Sequence, residues 1–321
     1  MKFQHPNFDK PPLSVKNNVP CFIETSNYTN SFGLQWSNFS KTQLDSNTNT
    51  KISKNRMLRM FGSLYKDLPG KTVLEVGCGS GRFTELLLER DVWLTAFDPS
   101  VAVFENFKNN GSNPKLRLIR STIETLPFLE ESYDLVFCPG VIQHTPNPKN
   151  SIKLLYNQIK PGGWLVLDQY RYNLSSSLKT TGLIRKLIKP FNAETKFKLT
   201  NSFVSFWLPI HKVASRIRFL EMILFRFSPI TAHYSGYPEL SDKDQIEWAR
   251  LSTHDNLTDF YKHRTFVYKF KKEILKLGAI NVSLCVMPYT IELKCQKPIR
   301  EDMGVKNNNV KIIKLKNVAS G

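Results

Sequence analysis

A glycine-rich stretch followed by an acidic residue is the part of this sequence best suited to bind a ligand. The stretch has the form E-x-G-x-G-x-G, and its residues are Glu75, Gly77, Cys78, Gly79 and Gly81. Glycine allows a sharp turn and a close approach of the backbone to a ligand, because it has no Cβ. Asp98 ends the next strand-like run, where a carboxylate is placed to accept hydrogen bonds from a ribose diol. This spacing predicts a nucleoside-binding site.

Three ionisable side chains are candidates for moving a proton to or from a substrate. His144 follows the fourth predicted strand, at the sheet edge where ligands of such folds bind. His254 and Asp255 are adjacent and precede the last predicted helix. An imidazole or a carboxylate in these places is suited to general-base catalysis on a hydroxyl or amine. The alternatives are a packing role for His144 and a helix N-cap at the His254–Asp255 pair.

Alternating strand and helix patterns must position these residues. Strand-like runs lie at 73–76, 92–97, 116–119, 133–138 and 164–168, and two more lie at 281–287 and 290–295. The run at 133–138 is almost continuously apolar, which is typical of a parallel strand covered on both faces. We therefore predict an α/β fold. It is a Rossmann-like, doubly wound sheet of seven strands, mostly parallel with a C-terminal antiparallel hairpin strand, plus a helical insertion after strand five.

At these motifs the sequence resembles the class I S-adenosylmethionine-dependent methyltransferases. Their first motif has the form found here at 75–81, and residues 121–128 and 159–163 resemble their "GDAExLPF" and "LKPGG" segments. The loop holding His144 is similar to their "xxVLHHxxxP" loop, with Gln143 where a first histidine is common. The resemblance covers about 70–172 and 262–297.

The resemblance implies S-adenosyl-L-methionine as the cofactor. Where this family usually has an aspartate that binds the adenine amino group, the chain has Thr122, whose hydroxyl accepts that bond more weakly. Ile123 would still offer a backbone N–H and an apolar contact. The residues expected at the cofactor are Glu75, Gly77, Cys78, Gly79, Gly81, Asp98, Pro99, Thr122, Ile123, Cys138 and Gly140. No metal site is expected.

Changes along the chain predict five segments. They are an N-terminal arm and capping segment (1–69), the S-adenosylmethionine-binding Rossmann core (70–172), a helical insertion serving as a substrate lid (173–261), the end of the core (262–297) and a flexible basic tail (298–321). In the arm, Trp36 and Phe39 either cap a pocket or pack the arm onto the domain. In the insertion, a helix predicted from Pro209 to Phe227 covers the acceptor, rests on a membrane surface or packs on the core with its basic residues in water.

The formal net charge of +18 is the unusual global feature of the chain. It suits nucleic acid, an anionic membrane surface or a phosphorylated substrate, and a base-composition bias of the genome explains it equally well. The five cysteines form no C-x-x-C pair. No apolar run reaches the roughly 18 residues that span a bilayer, and none resembles a secretion signal. These features predict a reduced, cytoplasmic setting without structural zinc.

The predicted function is methyl transfer from S-adenosyl-L-methionine to a small-molecule or glycan- or lipid-linked acceptor, with O- or N-methylation expected. The expected partners are this acceptor, of anionic character, and a membrane surface in peripheral contact, whereas nucleic acid is not expected. One alternative is an NAD-dependent Rossmann oxidoreductase. The sequence lacks the G-x-G-x-x-G spacing of dinucleotide-binding folds, which argues against it. The other alternative is a basic RNA-binding methyltransferase. Enzymes that methylate bases often have an Asn-Pro-Pro-Tyr type of motif after strand four, and residues 138–141 lack it, which argues against this alternative.

Overall fold

A mixed β-sheet forms the centre of the protein. The computed structural model describes residues 5–24, 35, 38–173, 179–299 and 310–315, and within these residues the sheet has ten strands. In chain order they are β1 (Ser14–Lys16), β2 (Val19–Cys21), β3 (Thr72–Val76), β4 (Trp93–Asp98), β5 (Leu116–Arg120), β6 (Tyr133–Cys138), β7 (Ile159–Tyr170), β8 (Ile280–Val286), β9 (Thr290–Gln296) and β10 (Val310–Lys314).

The strand order is β1-β2-β5-β4-β3-β6-β7-β9-β8-β10. The five strands from β3 to β7 pair in parallel, and β9 pairs antiparallel with both β7 and β8. The carboxyl ends of the parallel strands therefore meet at one edge of the sheet. This mostly parallel sheet with an antiparallel C-terminal hairpin confirms the predicted architecture.

Helices cover both faces of the sheet. They are α1 (Asp45–Thr48), α2 (Ile52–Phe61), α3 (Thr84–Leu88), α4 (Ala102–Asn110), α5 (Pro148–Asn157), α6 (Thr181–Ile188), α7 (Ala193–Ala214), α8 (Arg218–Phe227), α9 (Asp242–Thr258) and α10 (Val267–Lys276). Successive strand residues face opposite sides. Val73 packs with Met57 of α2, whereas Leu74 lies in the cluster that holds Ile152 of α5 and Phe270 of α10. The sheet is therefore doubly wound, as predicted.

Three strands extend the predicted seven-stranded sheet at its two ends. The hairpin of β1 and β2 joins β5, where Cys21 lies opposite Arg120, and β10 runs parallel to β8 with Val310 opposite Val282. The expectation of a wholly flexible tail after residue 297 therefore fails at 310–314. Strands of three to five residues carry too few side chains to show an alternating pattern in the sequence.

The insertion after β7 is helical, as predicted, but its helices have other bounds. Pro209 lies inside α7, which continues to Ala214, and α8 begins separately at Arg218. A proline in a helix interior costs about 3 kcal/mol. Val204 and Leu208 of α7 are buried, and burial of each such side chain contributes about 2 kcal/mol. The free energy of packing therefore offsets the cost of the proline, and the helix continues past Pro209.

The N-terminal arm reaches the insertion. Phe39 is buried, and its ring lies 5.9 Å from the ring of Phe197 in α7, which fits the packing role predicted for it. Trp36 lies outside the described residues. In the part of the chain that the structure describes, none of the helices has the length and apolar character needed to cross a bilayer.

Candidate active site

The glycine loop turns sharply at the end of β3 and is hydrogen-bonded to the end of β4. The backbone N–H groups of Gly77 and Cys78 both donate to the carbonyl of Phe97, over 2.8 and 3.0 Å. The backbone N–H of Gly79 donates to Asp98 Oδ2 over 3.0 Å. Gly77 and Gly79 have φ values of 67° and 51°, in the left-handed region that favours glycine. The predicted pairing of the loop with Asp98 is thus present.

Beside this loop lies a cavity of about 400 Å³ at the carboxyl edge of the parallel strands. The loop after β6, the end of β7 and residues of the insertion complete its wall. Eight of the residues expected at the site line this cavity: Gly77, Cys78, Gly79, Asp98, Pro99, Gly140, His144 and Asp255. The structure therefore brings the glycine loop and two catalytic candidates around one space.

The other expected cofactor residues lie outside this lining. Glu75 is buried and accepts a 2.7 Å hydrogen bond from Thr84 Oγ1, so it holds the start of α3. Burial raises the pKa of Glu75 to about 8. Gly81 packs against α4, where an added Cβ would come within 2.3 Å of Asn110 Nδ2. The remaining three are Thr122, Ile123 and Cys138, whose cofactor contacts stay predictions.

His254 is turned away from the cavity. It is buried between α7 and α9, where its Nδ1 lies 3.1 Å from Thr200 Oγ1 and its ring meets Phe197 edge-on. Its neighbour Asp255 does face the cavity, since successive residues of a helix point in different directions. The catalytic role expected of His254 therefore has no geometric support.

Asp259 joins the two remaining candidates, and sequence reasoning missed it. One donor atom from each of His144, Asp255 and Asp259 lies within 4.8 Å of the others. His144 Nδ1 lies 3.1 Å from the carbonyl oxygen of Tyr261 and 3.5 Å from Asp259 Oδ2. Because a carbonyl only accepts, Nδ1 carries the proton and Nε2 is the basic atom of the neutral ring.

The electrostatics of this group favour proton transfer. Burial lowers the pKa of His144 below its ordinary 6.5, so the ring is neutral at pH 7. Burial, with a smaller effect of Asp259, raises the pKa of Asp255 to about 7. The donor set is also one that holds metal ions. Arg185 and Lys262, however, both lie 3.7 Å from Asp259 Oδ2 and already offset its charge.

Two arginines beside the glycine loop also escaped sequence reasoning. Arg56 of α2 donates to Asp168 Oδ2 over 2.7 Å, and Asp168 Oδ1 accepts the backbone N–H of Gly140 over 2.6 Å. Arg82 Nε donates to Ser53 Oγ over 2.9 Å, but its buried Nη2 has no hydrogen-bond partner among the described residues. Burial and the nearby Arg56 lower the pKa of Arg82 to about 10, so it remains a cation at pH 7.

At the insertion side the cavity is lined by further cations, namely Arg171, Lys179, Lys262 and Arg264. Lys179 Nζ lies 3.1 Å from the centre of the Phe225 ring. Burial and repulsion from Lys262 and Arg264 lower the pKa of Lys179 to about 7. Within the described residues, neither Lys179 nor Arg264 has an acidic partner. This end of the cavity therefore has unbalanced positive charge.

The cavity suits an adenosyl amino acid. Gly77 and Gly79 bring bare backbone to its wall, Asp98 adds a carboxylate, and Arg82 adds a buried N–H donor that has no partner among the described residues. A cavity of about 400 Å³ also lies in the size range of small-molecule sites.

Comparisons with known proteins agree with this geometry. Residues 74–167 match the family described as "Methyltransferase domain". A tRNA U34 carboxymethyltransferase from Campylobacter curvus is 36% identical over 107 residues, which are 32% of this chain and 36% of that protein. A ubiquinone biosynthesis O-methyltransferase from Pseudomonas fluorescens is 26% identical over 192 residues, which are 57% of this chain and 80% of that protein. The chain thus spans only 35% and 36% of the two tRNA U34 carboxymethyltransferases that it matches.

Among solved structures, magnesium protoporphyrin IX methyltransferase from Synechocystis PCC 6803 aligns with a TM-score of 0.47 and 13% identity, over 84% of this chain and 96% of that chain. The family match at 74–167 coincides with the strands that carry the glycine loop, Asp98 and His144. The chain therefore carries a class I S-adenosylmethionine-dependent methyltransferase domain, whose methyl donor is S-adenosyl-L-methionine.

Proposed function

We propose that this protein transfers the methyl group of S-adenosyl-L-methionine to a hydroxyl or amine of a small or glycan- or lipid-linked acceptor that carries an anionic group. One observation carries the proposal: a single cavity joins the glycine loop and Asp98 to His144, Asp255 and a set of cations in or next to the insertion. Such an arrangement holds donor and acceptor next to each other and excludes water.

The donor end of the cavity would hold the cofactor through groups already described. Asp98, Gly79 and Arg82 all line the cavity. Asp98 would accept hydrogen bonds from the ribose, Gly79 would allow close backbone contact, and Arg82 would bind the methionine carboxylate. The bound cofactor supplies an activated methyl group, so the protein has mainly to align the acceptor.

His144 would take the proton that the acceptor loses. Its Nδ1–H donates to the carbonyl of Tyr261, so Nε2 is the basic nitrogen of the neutral ring. Asp255 favours the imidazolium that then forms, because a carboxylate close to an imidazole stabilises its charged form. A positioned general base contributes about 10²- to 10⁴-fold in rate.

The charge at the acceptor end supports an anionic substrate. Of the basic residues at 185–189, Arg185 is paired with Asp259, and Lys186 and Lys189 do not line the cavity. Lys179 and Arg264 take their place, since both line the cavity without an acidic partner among the described residues. Both side chains are partly buried in the cavity wall, which suits a small anionic group better than a polynucleotide.

Small molecules and RNA both have to be tested as acceptors, because one relative is named for tRNA and another for ubiquinone biosynthesis. The purified protein is incubated with tritiated S-adenosylmethionine and, separately, with a small-molecule extract and total RNA. We expect label in small molecules that an anion exchanger retains. Label in RNA alone would overturn the proposed acceptor class.

The same assay tests the base. We expect His144→Ala to lose most of the transfer and to bind S-adenosylhomocysteine within about twofold of the parent. His254→Ala, which removes a buried imidazole outside the cavity, is the matched control. Equal losses in both variants would contradict the assignment of His144.

A further inference from the structure

Helix α8 exposes an apolar face to solvent. None of its residues is buried. Phe219, Met222 and Phe227 are 67%, 62% and 60% exposed. Met222 and Phe227 lie three and eight residues after Phe219, so the three side chains fall within an arc of about 140° around the helix. Large apolar side chains exposed in such a group mark a contact surface.

The neighbouring helices continue this surface. In α7, Phe206 and Val213 are 67% and 64% exposed, whereas Val204, Leu208 and His211 on its other side are buried. In α6, Leu183 and Leu187 are 63% and 65% exposed. Both helices thus bury one side and still present apolar side chains on another.

The three helices are joined. Thr180, just before α6, donates its backbone N–H to the carbonyl of Arg226 over 3.3 Å and its hydroxyl to that of Phe227 over 2.9 Å. Helix α8 also packs against α7. We name as the docking face the exposed side chains of Leu183, Leu187, Phe206, Val213, Phe219 and Met222.

The charge around the docking face is strongly positive. Between residues 181 and 227 the chain has nine lysines and arginines and two acidic residues. Arg216 and Arg218 are exposed just before and at the start of α8, and Lys186 and Lys189 are exposed in and just after α6. Glu194, one of the two acids, pairs with Lys198 at the far end of α7.

From these observations we propose that the docking face rests on an anionic lipid bilayer. An amphipathic surface with basic residues beside exposed Phe, Leu and Met side chains binds such bilayers by burying its apolar side and attracting the headgroups. A second copy of the chain is the other apolar partner, but a symmetric pair would bring two strongly positive surfaces together. The bilayer satisfies both the apolar face and the charge.

Docking in this way would bring the cavity to the lipid surface. Phe225 belongs to α8, is 43% exposed and also lines the cavity next to Lys179. An amphiphilic acceptor held in the bilayer would then reach the cavity without crossing water. The proposal itself concerns binding to lipid and is tested without any methyl transfer.

The test is vesicle flotation of the purified full chain with phosphatidylcholine vesicles and with vesicles containing phosphatidylglycerol. We expect the protein to float with the anionic vesicles, and at least tenfold less with neutral ones or in high salt. Phe219→Ser/Met222→Ser should weaken flotation at least tenfold, because it removes two large apolar side chains that the bilayer would bury. Leu13→Ser/Leu129→Ser, which removes two leucines that are 68% and 71% exposed outside the insertion, should float like the parent.

Charge is tested in parallel. Arg216→Gln/Arg218→Gln should reduce binding to anionic vesicles severalfold, whereas Lys272→Gln/Lys276→Gln on α10 should not. Failure of the parent to float with anionic vesicles overturns the proposal. So does a finding by light scattering that the parent is a dimer which Phe219→Ser/Met222→Ser converts to a monomer, because the face would then hold a second copy.

Discussion

Nδ1 of His144 lies 3.5 Å from Oδ2 of Asp259, a contact that joins the loop after β6 to the end of helix α9. The imidazole belongs to the methyltransferase domain, and the carboxylate belongs to the insertion. The acid–base group is therefore complete only when the insertion has folded onto the sheet edge. Under the proposed function, this dependence would link the insertion to catalysis and to binding of the acceptor.

The pH dependence of the reaction tests the role of His144. Because burial holds the pKa of His144 below 6.5, the acid limb of kcat/KM should have its midpoint below pH 6.5, on the acid side of the fall expected from Lys179. The negative charge of Asp255 raises the pKa of His144. Asp255 has a pKa of about 7 and is only partly ionised where His144 titrates, so Asp255→Asn should move this acid limb to lower pH by a small step.

The control is Asp242→Asn, which removes an exposed carboxylate from the other end of the same helix. Its pH–rate profile should match that of the parent. If the acid limb does not move in Asp255→Asn, then the pair of His144 and Asp255 does not determine it.

Lys179 and Arg264 test the anionic acceptor. Replacing either with Met should raise KM for that acceptor about 10- to 100-fold, the value of a charged hydrogen bond of about 1.5–3 kcal/mol, with kcat little changed. Burial and the neighbouring cations lower the pKa of Lys179 to about 7, so KM in the parent should rise as pH increases through 7. Lys272→Met, on the exposed part of α10, is the control. An unchanged KM in both site variants would show that the acceptor binds elsewhere.

The glycine loop and Asp98 could be located from the sequence because parallel strands end at the same edge. The register pairs Glu75 with Ala96 and Val76 with Phe97, so residues that follow each strand must meet. The same reasoning placed His144, which follows β6. The role of Glu75 was less accessible, because its hydrogen bond to Thr84 depends on how α3 packs.

The insertion could be predicted as helical but not placed. Pro209 suggested a helix start, whereas burial of Val204 and Leu208 carries α7 through it. Asp259 and Lys262 follow the last turn of α9, and no spacing pattern marks them. Their approach to His144 depends on tertiary packing between distant segments.

Glu75 predicts how stability depends on pH. Its pKa of about 8 in the folded protein exceeds the ordinary 4.5, so the folded state holds the proton more tightly than the unfolded chain. Stability from this group is full below pH 4.5 and is lost as pH rises to about 8, by about 1.4 kcal/mol per pH unit. Glu75→Gln cannot ionise, so its Tm should fall less than that of the parent between pH 5 and 8.5. Parallel Tm curves would contradict the buried, protonated carboxyl.

A substitution of Gly81 tests whether this glycine of the loop is required for packing. An added Cβ there would lie 2.3 Å from Asn110 Nδ2, at a φ of 105° that other residues rarely adopt. Gly81→Ala should therefore lower the free energy of unfolding by about 1–3 kcal/mol. Gly182→Ala has no atom within 4 Å of its new Cβ and should leave the Tm unchanged or slightly higher. Thermal unfolding of the two variants side by side decides whether the fold requires glycine at position 81.

A substitution of Arg82 tests how the protein binds the methyl donor. Arg82 lies beside the glycine loop, and its buried Nη2 has no hydrogen-bond partner among the described residues. If it binds the methionine carboxylate, Arg82→Gln should weaken S-adenosylhomocysteine about 10- to 100-fold, as expected for a lost charged hydrogen bond of about 1.5–3 kcal/mol. Methylthioadenosine has the same nucleoside but no amino-acid carboxylate, so its affinity should change less than twofold. Calorimetry with both ligands on parent and variant gives the comparison. Equal weakening of the two ligands would instead make Arg82 a support for Ser53 and Gln43, to which it also donates hydrogen bonds.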